Sequence, residues 1–498
     1  MVTVAPLVGK HTIDISEYGT QALSKEHSGA VGEVPRESGL PPATKAPMLG
    51  RLLLRATQKL RHSSSLDLFN ELRPSPFAKP LDVRAAQWQR LSALLAHAES
   101  RVPYYRELFS SLGISSSDIT NLKDFAALPV LTKDIVRERQ ADLLIENVPL
   151  ESLSQHHSGG STGIPLTFYR EHAYMDASEA GTFRTWAQSG WRPGEMVAFF
   201  WGGNERLYKM ARWEFRLRQE LRRVYQFDPF HSGASEMAQW LKLWPSLGAT
   251  IAHGYASTIA RFAEYIEATK GSVAPLRGVF TTAEKLYPQQ REIISRVFGC
   301  RVYDCYGSSE VQNIAAECAH GRMHVNADFV VLEEDRVADS TSTAKPFLVT
   351  SLWNKAMPFI RYRNEDCGLL LDETCDCGNN FPLMELNIAR VSDNFVLPDG
   401  RVVHGEFFTH LMYGSEGIQN FQFHQTAPDK ITLWIVPGNG NGQKRDSITR
   451  AAVEQIKTLS TSPMNVEVRE TDSIPLSTAG KHRFTRSDVS EKSISGER

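Results

Sequence analysis

The sequence predicts an α/β protein. It has a large N-terminal domain of helix-covered, mostly parallel sheets and a small C-terminal α+β domain. Three observations carry that expectation. Short apolar runs at Ile251 to Tyr255, Gly278 to Thr281 and Val302 to Tyr306 read as strands, with helical periods between them. Strands alternating with helices imply parallel sheets covered by helices. Past Arg390 the texture changes to β-β-α-β, the pattern of a small α+β unit.

Taken in order, residues 1–46 are rich in Gly, Ser, Pro and charge without a sustained period, and read as a partly disordered extension. The large domain then runs over 47–389 and the small, mobile one over 390–498. Trp88, Leu91 and Leu95 fall at i, i+3 and i+7 of a helix that continues through Ala98 and ends before Pro103. Thr132 is placed to cap a helix from Lys133. Leu166 to Tyr169 alternates as a strand does, and Met196 to Trp201 is a buried-type strand. Arg206 to Arg223 is a basic helix interleaved with Trp213, Phe215 and Leu217, read as a solvated face rather than a nucleic-acid surface. In the small domain, Leu397-Pro398-Asp399-Gly400-Arg401 is a turn. Phe421/Phe423 and Ile431/Leu433/Ile435 alternate as an antiparallel pair, followed by a helix from Ile448 to Leu459 and a strand from Asn465 to Arg469.

The totals exclude several classes. A formal charge of −2 sets up no global field for nucleic acid or an anionic membrane, and neither is expected as a partner. No apolar run approaches the ~20 residues of a membrane span, and the start of the chain lacks the charged-then-apolar order of a secretory signal. Six cysteines in 498 residues fit a reducing compartment, so a cytoplasmic location is expected.

The chemistry centres on Ser158, Gly159, Gly160, Ser161, Thr162 and Gly163. Glycines let backbone N–H groups approach an anion closely, and the hydroxyls add donors, an arrangement suited to phosphates. It is not a Walker A loop, because no Gly-Lys-Ser/Thr follows. Four stretches stand behind it in order: Thr281-Thr282-Ala283-Glu284, Tyr303 to Glu310, Ile360-Arg361-Tyr362-Arg363-Asn364-Glu365-Asp366, and Thr478-Ala479-Gly480-Lys481-His482-Arg483. Taken singly each is weak. An acidic residue after a strand usually caps a helix, and a Gly-Lys-x-Arg near a chain end is usually a solvated turn.

In this order they resemble the adenylate-forming (AMP-forming) ligases, over about residues 80 to 490. Val102-Pro103-Tyr104-Tyr105-Arg106, Leu128 to Lys133 and Val396 to Arg401 resemble its phenylacetate–CoA ligase-like and capsule-biosynthesis-like branch. The resemblance implies ATP and Mg²⁺ as cofactors, a small-molecule carboxylic acid as substrate, and coenzyme A as acceptor. By the same resemblance the glycine loop holds the β- and γ-phosphates, Tyr306 lies on the adenine, and Glu284 is at the adenine edge. Glu310 holds Mg²⁺, Asp366 accepts from the ribose hydroxyls, and Arg390 covers phosphate and ribose. Asp304, Gly307, Ser308 and Ser309 share the nucleotide site. Lys481 enters on the small domain, and His157 joins Lys481 and Glu310 as a catalytic candidate. Trp201, His253 and Tyr255 line the acyl pocket by their position between loop and Glu284; core packing explains each aromatic equally well.

The chain departs from the family pattern twice. Ile164 stands where many relatives have lysine, so phosphate binding leans on backbone and hydroxyls. The junction reads Ala389-Arg390-Val391-Ser392-Asp393, with Ser392 at the family's hinge carboxylate position. Two acceptors stay open, coenzyme A and an amine or other nitrogen nucleophile, since no motif reads as a CoA site. An ATP phosphohydrolase or kinase and a non-catalytic nucleotide-binding protein are the alternatives from other classes.

Cys375 and Cys377, with Cys318 and His324 (or His320) upstream, have the donor types of a closed tetrahedral structural zinc site. The alternative is buried free thiols.

Overall fold

The computed structural model describes residues 48–157, 166–202, 212–229, 232–284, 286–335, 345–387, 395–399, 401–403, 405–412, 417–438, 442–474 and 484–489. The chain divides into two units, 1–41 and 42–498, and every described residue lies in the second.

The first part is helical: α1 (Met48–Leu60), α2 (Ser65–Leu72), α3 (Pro80–Arg101), α4 (Pro103–Leu112), α5 (Leu122–Phe125) and α6 (Lys133–Glu138). α3 buries Leu91, Leu94, Leu95 and Ala98, the face its periodicity predicts. Pro103 ends it by opening α4, and Gly113, at φ 64°, ends α4 in the left-handed region that glycine tolerates. The Thr132 hydroxyl accepts the Ile135 N–H at 3.3 Å and caps α6 as expected. Strands β1 (Ser154–His157) and β2 (Thr167–Arg170) pair antiparallel on either side of residues 158–165, with His157 opposite Thr167. α7 (His172–Ala187) follows.

The chain then alternates: β3 (Met196–Phe200), α8 (Arg212–Arg222), β4 (Val224–Phe227), α9 (Ala234–Leu247), β5 (Ala249–Tyr255), α10 (Ala256–Ala268), β6 (Gly278–Thr282), α11 (Pro288–Phe298) and β7 (Arg301–Tyr306). These five strands are parallel, in the order β4-β3-β5-β6-β7. The sheet continues past β7 with β8 (Ala315–Glu317), β9 (Met323–Val325), β10 (Val330–Glu334), β11 (Lys345–Ser351), β12 (Tyr362–Leu371) and β13 (Leu383–Asn387). The full order is β10-β11-β12-β13-β9-β8-β7-β6-β5-β3-β4. All pairings from β7 to β10 are antiparallel. The expectation of mostly parallel pairing therefore holds for five of the eleven strands. Short reversals such as 318–322 between β8 and β9 leave no room for a helical crossover, so that half of the sheet is antiparallel.

The parallel strands are buried on both faces, as such sheets must be. Phe280 and Tyr303 pack with Phe183 and Trp186 of α7 in one core, while Ala252, Val279 and Val302 pack with Trp244, Phe262 and Phe298 in another. Past residue 394 come β14 (Phe395–Val396), β15 (Val402–Val403), α12 (Gly405–His410), β16 (Ile418–Ala427), β17 (Lys430–Pro437), α13 (Gly442–Lys457), β18 (Asn465–Glu470) and β19 (Thr485–Ser487). The last four strands form a separate sheet, β18-β17-β16-β19, whose core includes Phe421, Phe423, Ile431 and Leu433.

Candidate functional site

In parallel α/β sheets, ligands bind beyond the carboxyl ends of the strands. Trp201 follows β3, Tyr255 ends β5, Glu284 follows β6 and Tyr306 ends β7. The candidates read from separate stretches thus share one edge of the sheet.

After β7, residues 307–310 turn back on themselves: the Ser308 N–H donates to the Val311 carbonyl at 2.8 Å, and the Val311 N–H to Ser308 Oγ at 3.1 Å. This buries Glu310, where the Tyr362 hydroxyl donates to its Oε1 at 3.0 Å. A second link joins the same two stretches. The Tyr306 hydroxyl donates to Asp366 Oδ2 at 3.0 Å and accepts from the Asn364 amide at 2.7 Å. All five side chains are buried. Tyr362, Asn364 and Asp366 alternate along β12, so the strand's period of two aims them at one face.

Arg170 adds to this group and carried no motif. It is 3% exposed, between the rings of Phe168 and Tyr174, at 5.1 and 5.2 Å, and donates to the Ser309 carbonyl. Its Nε is buried with no partner among the described residues. Burial pulls its guanidinium below the usual range, and the Glu310 carboxylate opposes that shift. The sequence did hold a signal: Thr167 to Arg170 alternates, and Arg170 falls on the buried phase of the strand.

Glu284 follows Ala283, which sits at φ 69°. Its Oε1 accepts the Ser257 N–H at 2.5 Å, in the first turn of α10, where the helix dipole favours a carboxylate. It therefore caps α10 rather than the helix that follows it in sequence. Asp304 Oδ1 accepts from Thr281 Oγ1 and from the Cys305 N–H, both at 3.1 Å. Burial pushes its carboxyl up to about 7 against the Thr281 hydrogen bond, and the neighbouring Glu317 carboxylate adds to the rise.

Trp201, His253 and Tyr255 come together. The Trp201 and Tyr255 rings stack at 4.8 Å, and Phe199 lies 5.7 Å from Trp201 and 5.3 Å from His253. The Trp186 indole donates to His253 Nδ1 at 2.8 Å, which leaves the ring proton on Nε2, and burial pushes the imidazole down to about 4. His157 Nδ1 lies 3.1 Å from Thr167 Oγ1. The other candidates, Ser158 to Gly163, Arg390 and Lys481, lie outside the described residues, as do Ile164, Ser392 and Asp393.

The donor atoms of Cys318, His324, Cys375 and Cys377 all lie within 4.8 Å of one another. Cys318 Sγ is 3.8 Å from Cys375 Sγ, and Cys377 Sγ is 3.4 Å from His324 Nε2. A tetrahedron with metal–sulfur bonds of about 2.3 Å spaces its ligands about 3.7 Å apart. His324 Nδ1 lies 3.0 Å from the Phe381 carbonyl, which holds its N–H and turns the Nε2 lone pair to the cysteines. Backbone N–H groups of His320 and Asn379 donate to Cys318 and Cys377 at 3.3 and 3.4 Å. His320, the alternative ligand, thus supplies a main-chain hydrogen bond, while His324 supplies the ring.

Comparison with known proteins follows the same lines. The family model for the CapK C-terminal domain matches residues 395–488. Protein CapK of Staphylococcus aureus is 22% identical over 430 residues, 82% of this chain and 90% of that protein. The phenylacetate–coenzyme A ligase of Thermus thermophilus is 26% identical, over 68% of this chain and 77% of its own length. A crystal structure of 2-hydroxyisobutyryl-CoA ligase, with 2-HIB-AMP and CoA bound, superposes with a TM-score of 0.57 at 20% identity. It covers 85% of this chain and 93% of that one. The fold is that of the adenylate-forming superfamily. In sequence the chain's homologues are CapK and the phenylacetate–CoA ligases.

Proposed function

We propose that this chain is an AMP-forming acid–CoA ligase. A carboxylate oxygen of the acid attacks the α-phosphorus of ATP, the α–β phosphoanhydride bond breaks, and pyrophosphate leaves. The CoA sulfur then attacks the acyl carbonyl, loses its proton, and AMP departs. The observation that carries the reading is the buried interlock of Tyr306 and Glu310 with Tyr362, Asn364 and Asp366. It joins two stretches recognised separately and fixes their side chains before any substrate arrives, the preorganisation that transition-state stabilisation requires.

In this reading Asp366 takes the ribose hydroxyls, steadied by Asn364 and Tyr306, whose ring faces the adenine. Glu284 and Asp304 complete the nucleotide edge. Glu310, a buried carboxylate held by the Tyr362 hydroxyl, is the donor suited to Mg²⁺, which would neutralise phosphate charge when bound. Ser158 to Gly163 grip the phosphates with Arg390 across them. Lys481 stabilises charge at the α-phosphate, with His157 beside the loop. The rings of Trp201, Tyr255 and Phe199 favour a flat aryl or arylalkyl acid, and neutral His253 offers it one N–H donor. Cys318, His324, Cys375 and Cys377 hold a structural zinc ion.

The experiment is ATP–[³²P]pyrophosphate exchange across a panel of carboxylic acids, without CoA or amine. Acid-dependent exchange, with thioester formed once CoA is added, is the expected result. Phosphate release without exchange would sink the reading in favour of a phosphohydrolase. Exchange followed by acylation of an amine but not of CoA would overturn the acceptor alone.

A further inference from the structure

The whole-chain charge and the lack of a membrane-spanning helix among the described residues leave one local feature unaddressed. Thirteen large apolar residues are exposed among those described, and six of them lie on two helices, α1 and α8. On α1, Gly50, Leu54, Thr57 and Gln58 face inward. A Cβ on Gly50 would meet the Gly194 carbonyl at 2.3 Å, so the helix is seated closely. Its outer side has a second apolar stripe: Leu49, Leu52, Ala56 and Leu60 follow i, i+3, i+7, i+11, with the leucines 67%, 54% and 80% exposed. Beside that stripe Arg51, Arg55 and Lys59 follow i, i+4, i+8, and all three are exposed. The helix carries no acidic residue.

α8 lies against α1, with Thr57 Oγ1 donating to the Leu221 carbonyl at 2.9 Å. It exposes Trp213 by 67% and Leu217 by 50%, beside exposed Arg216 and Arg218. An apolar stripe flanked by cations on a helix that lies flat on the body is the pattern of an interfacial helix. Tryptophan is the residue most at home at headgroup depth. Cations on this face draw it to anionic headgroups within about a Debye length. Phosphate backbones alone would not call for exposed leucines.

We propose that the outer faces of α1 and α8 form a docking surface for an anionic lipid bilayer, so that the protein works as a peripheral membrane protein. The proposal is independent of the reaction assigned above.

The test is co-sedimentation of the full-length chain with two kinds of vesicle. One is phosphatidylcholine containing about 30% phosphatidylglycerol, the other phosphatidylcholine alone, each at about 0.1 M salt. The expected result is binding to the anionic vesicles only. That binding should weaken about tenfold or more in Leu52→Glu/Leu60→Glu, and equally in Arg51→Glu/Arg55→Glu. Trp213→Ser should weaken it severalfold. The two pairs change different flanks at exposed positions, so a fold defect in one leaves the other to decide. No binding by the wild-type chain overturns the proposal, and is the result for a face covered by a protein partner or another segment. Equal binding to both vesicles, or binding that neither pair weakens, overturns it as well.

Discussion

Residues 303–324 and residues 360–384 come together twice, and the two meetings are built differently. In the first, Tyr306 and Glu310 meet Tyr362, Asn364 and Asp366 through buried hydrogen bonds of 2.7 to 3.0 Å. Donors and acceptors are matched within the protein, so the geometry stands without a ligand. In the second, Cys318 and His324 meet Cys375 and Cys377. Sulfur is a weak donor and a weak acceptor, so contacts of 3.4 to 3.8 Å among these groups hold little by themselves. Burial pushes the Cys377 thiol up to about 12, with the neighbouring thiols adding to the rise. Four soft donors gathered this closely make sense around a cation. The difference separates a meeting that positions from one that holds together.

If that division of labour is right, Glu310→Gln gives the largest effect on chemistry. It keeps an acceptor for Tyr362 but removes the charge, and pyrophosphate exchange should fall by about 10²–10³-fold. The melting temperature and the zinc content should stay near wild type; a large loss of stability instead would erase the distinction. The reverse pattern is expected for Cys375→Ser. Freshly purified wild-type protein should contain about one zinc per chain by atomic emission. The variant should lack it and melt at a lower temperature by ten degrees or so, several kcal/mol of lost binding energy. Protein purified free of zinc, with the stability unchanged by chelator, would leave this meeting an ordinary thiol cluster. Tyr362→Phe sharpens the first meeting. It removes one hydrogen bond to a charged acceptor, worth about 1.5–3 kcal/mol, and exchange should fall by about tenfold with a modest loss of stability.

The smallest effect concerns Asp304, on β7. Its folded-state carboxyl is raised to about 7 from the usual 3.8. The protonated form is the one the fold accommodates, so that stability is fully present below the unfolded value and is lost as pH rises towards the folded one. Ionised Asp304 is thus a burden at pH 8, and Asp304→Asn should raise the melting temperature there. The gain should shrink as the pH falls from 7 towards 4. A gain independent of pH would show that the carboxylate is not the cause.

Much of this was legible in the sequence because it rests on period and order. Strands β5, β6 and β7 announce themselves by apolar runs between helices, and the cysteine spacing points to a cluster. The antiparallel half was not legible. β8 and β9 are three residues each, too short to display a period of two, and the second partner of β9, β13, lies far along the chain. Asn364 could not be assigned, since its task is defined by the hydroxyl it reaches on another strand. Glu284 caps a helix that precedes it, a spatial relation that no local spacing encodes. α1 went unread because its two apolar stripes, one inward and one outward, blur the single amphipathic signature.

One feature of the sheet reaches beyond catalysis. β13 meets β9 through two residue pairs, Leu383 with His324 and Met384 with Met323. That short ladder is where the chain's return from β10 to β13 is closed onto β9, and His324 is at once a rung of it and a member of the cysteine cluster. A metal bound there would close a loop of chain as well as a coordination shell. The opening of this seam then becomes a mass-action quantity, rarer as free zinc rises. Amide exchange at residues 323–325 and 383–384 would then slow as zinc is added, a readout of the seam that needs no assay of the reaction.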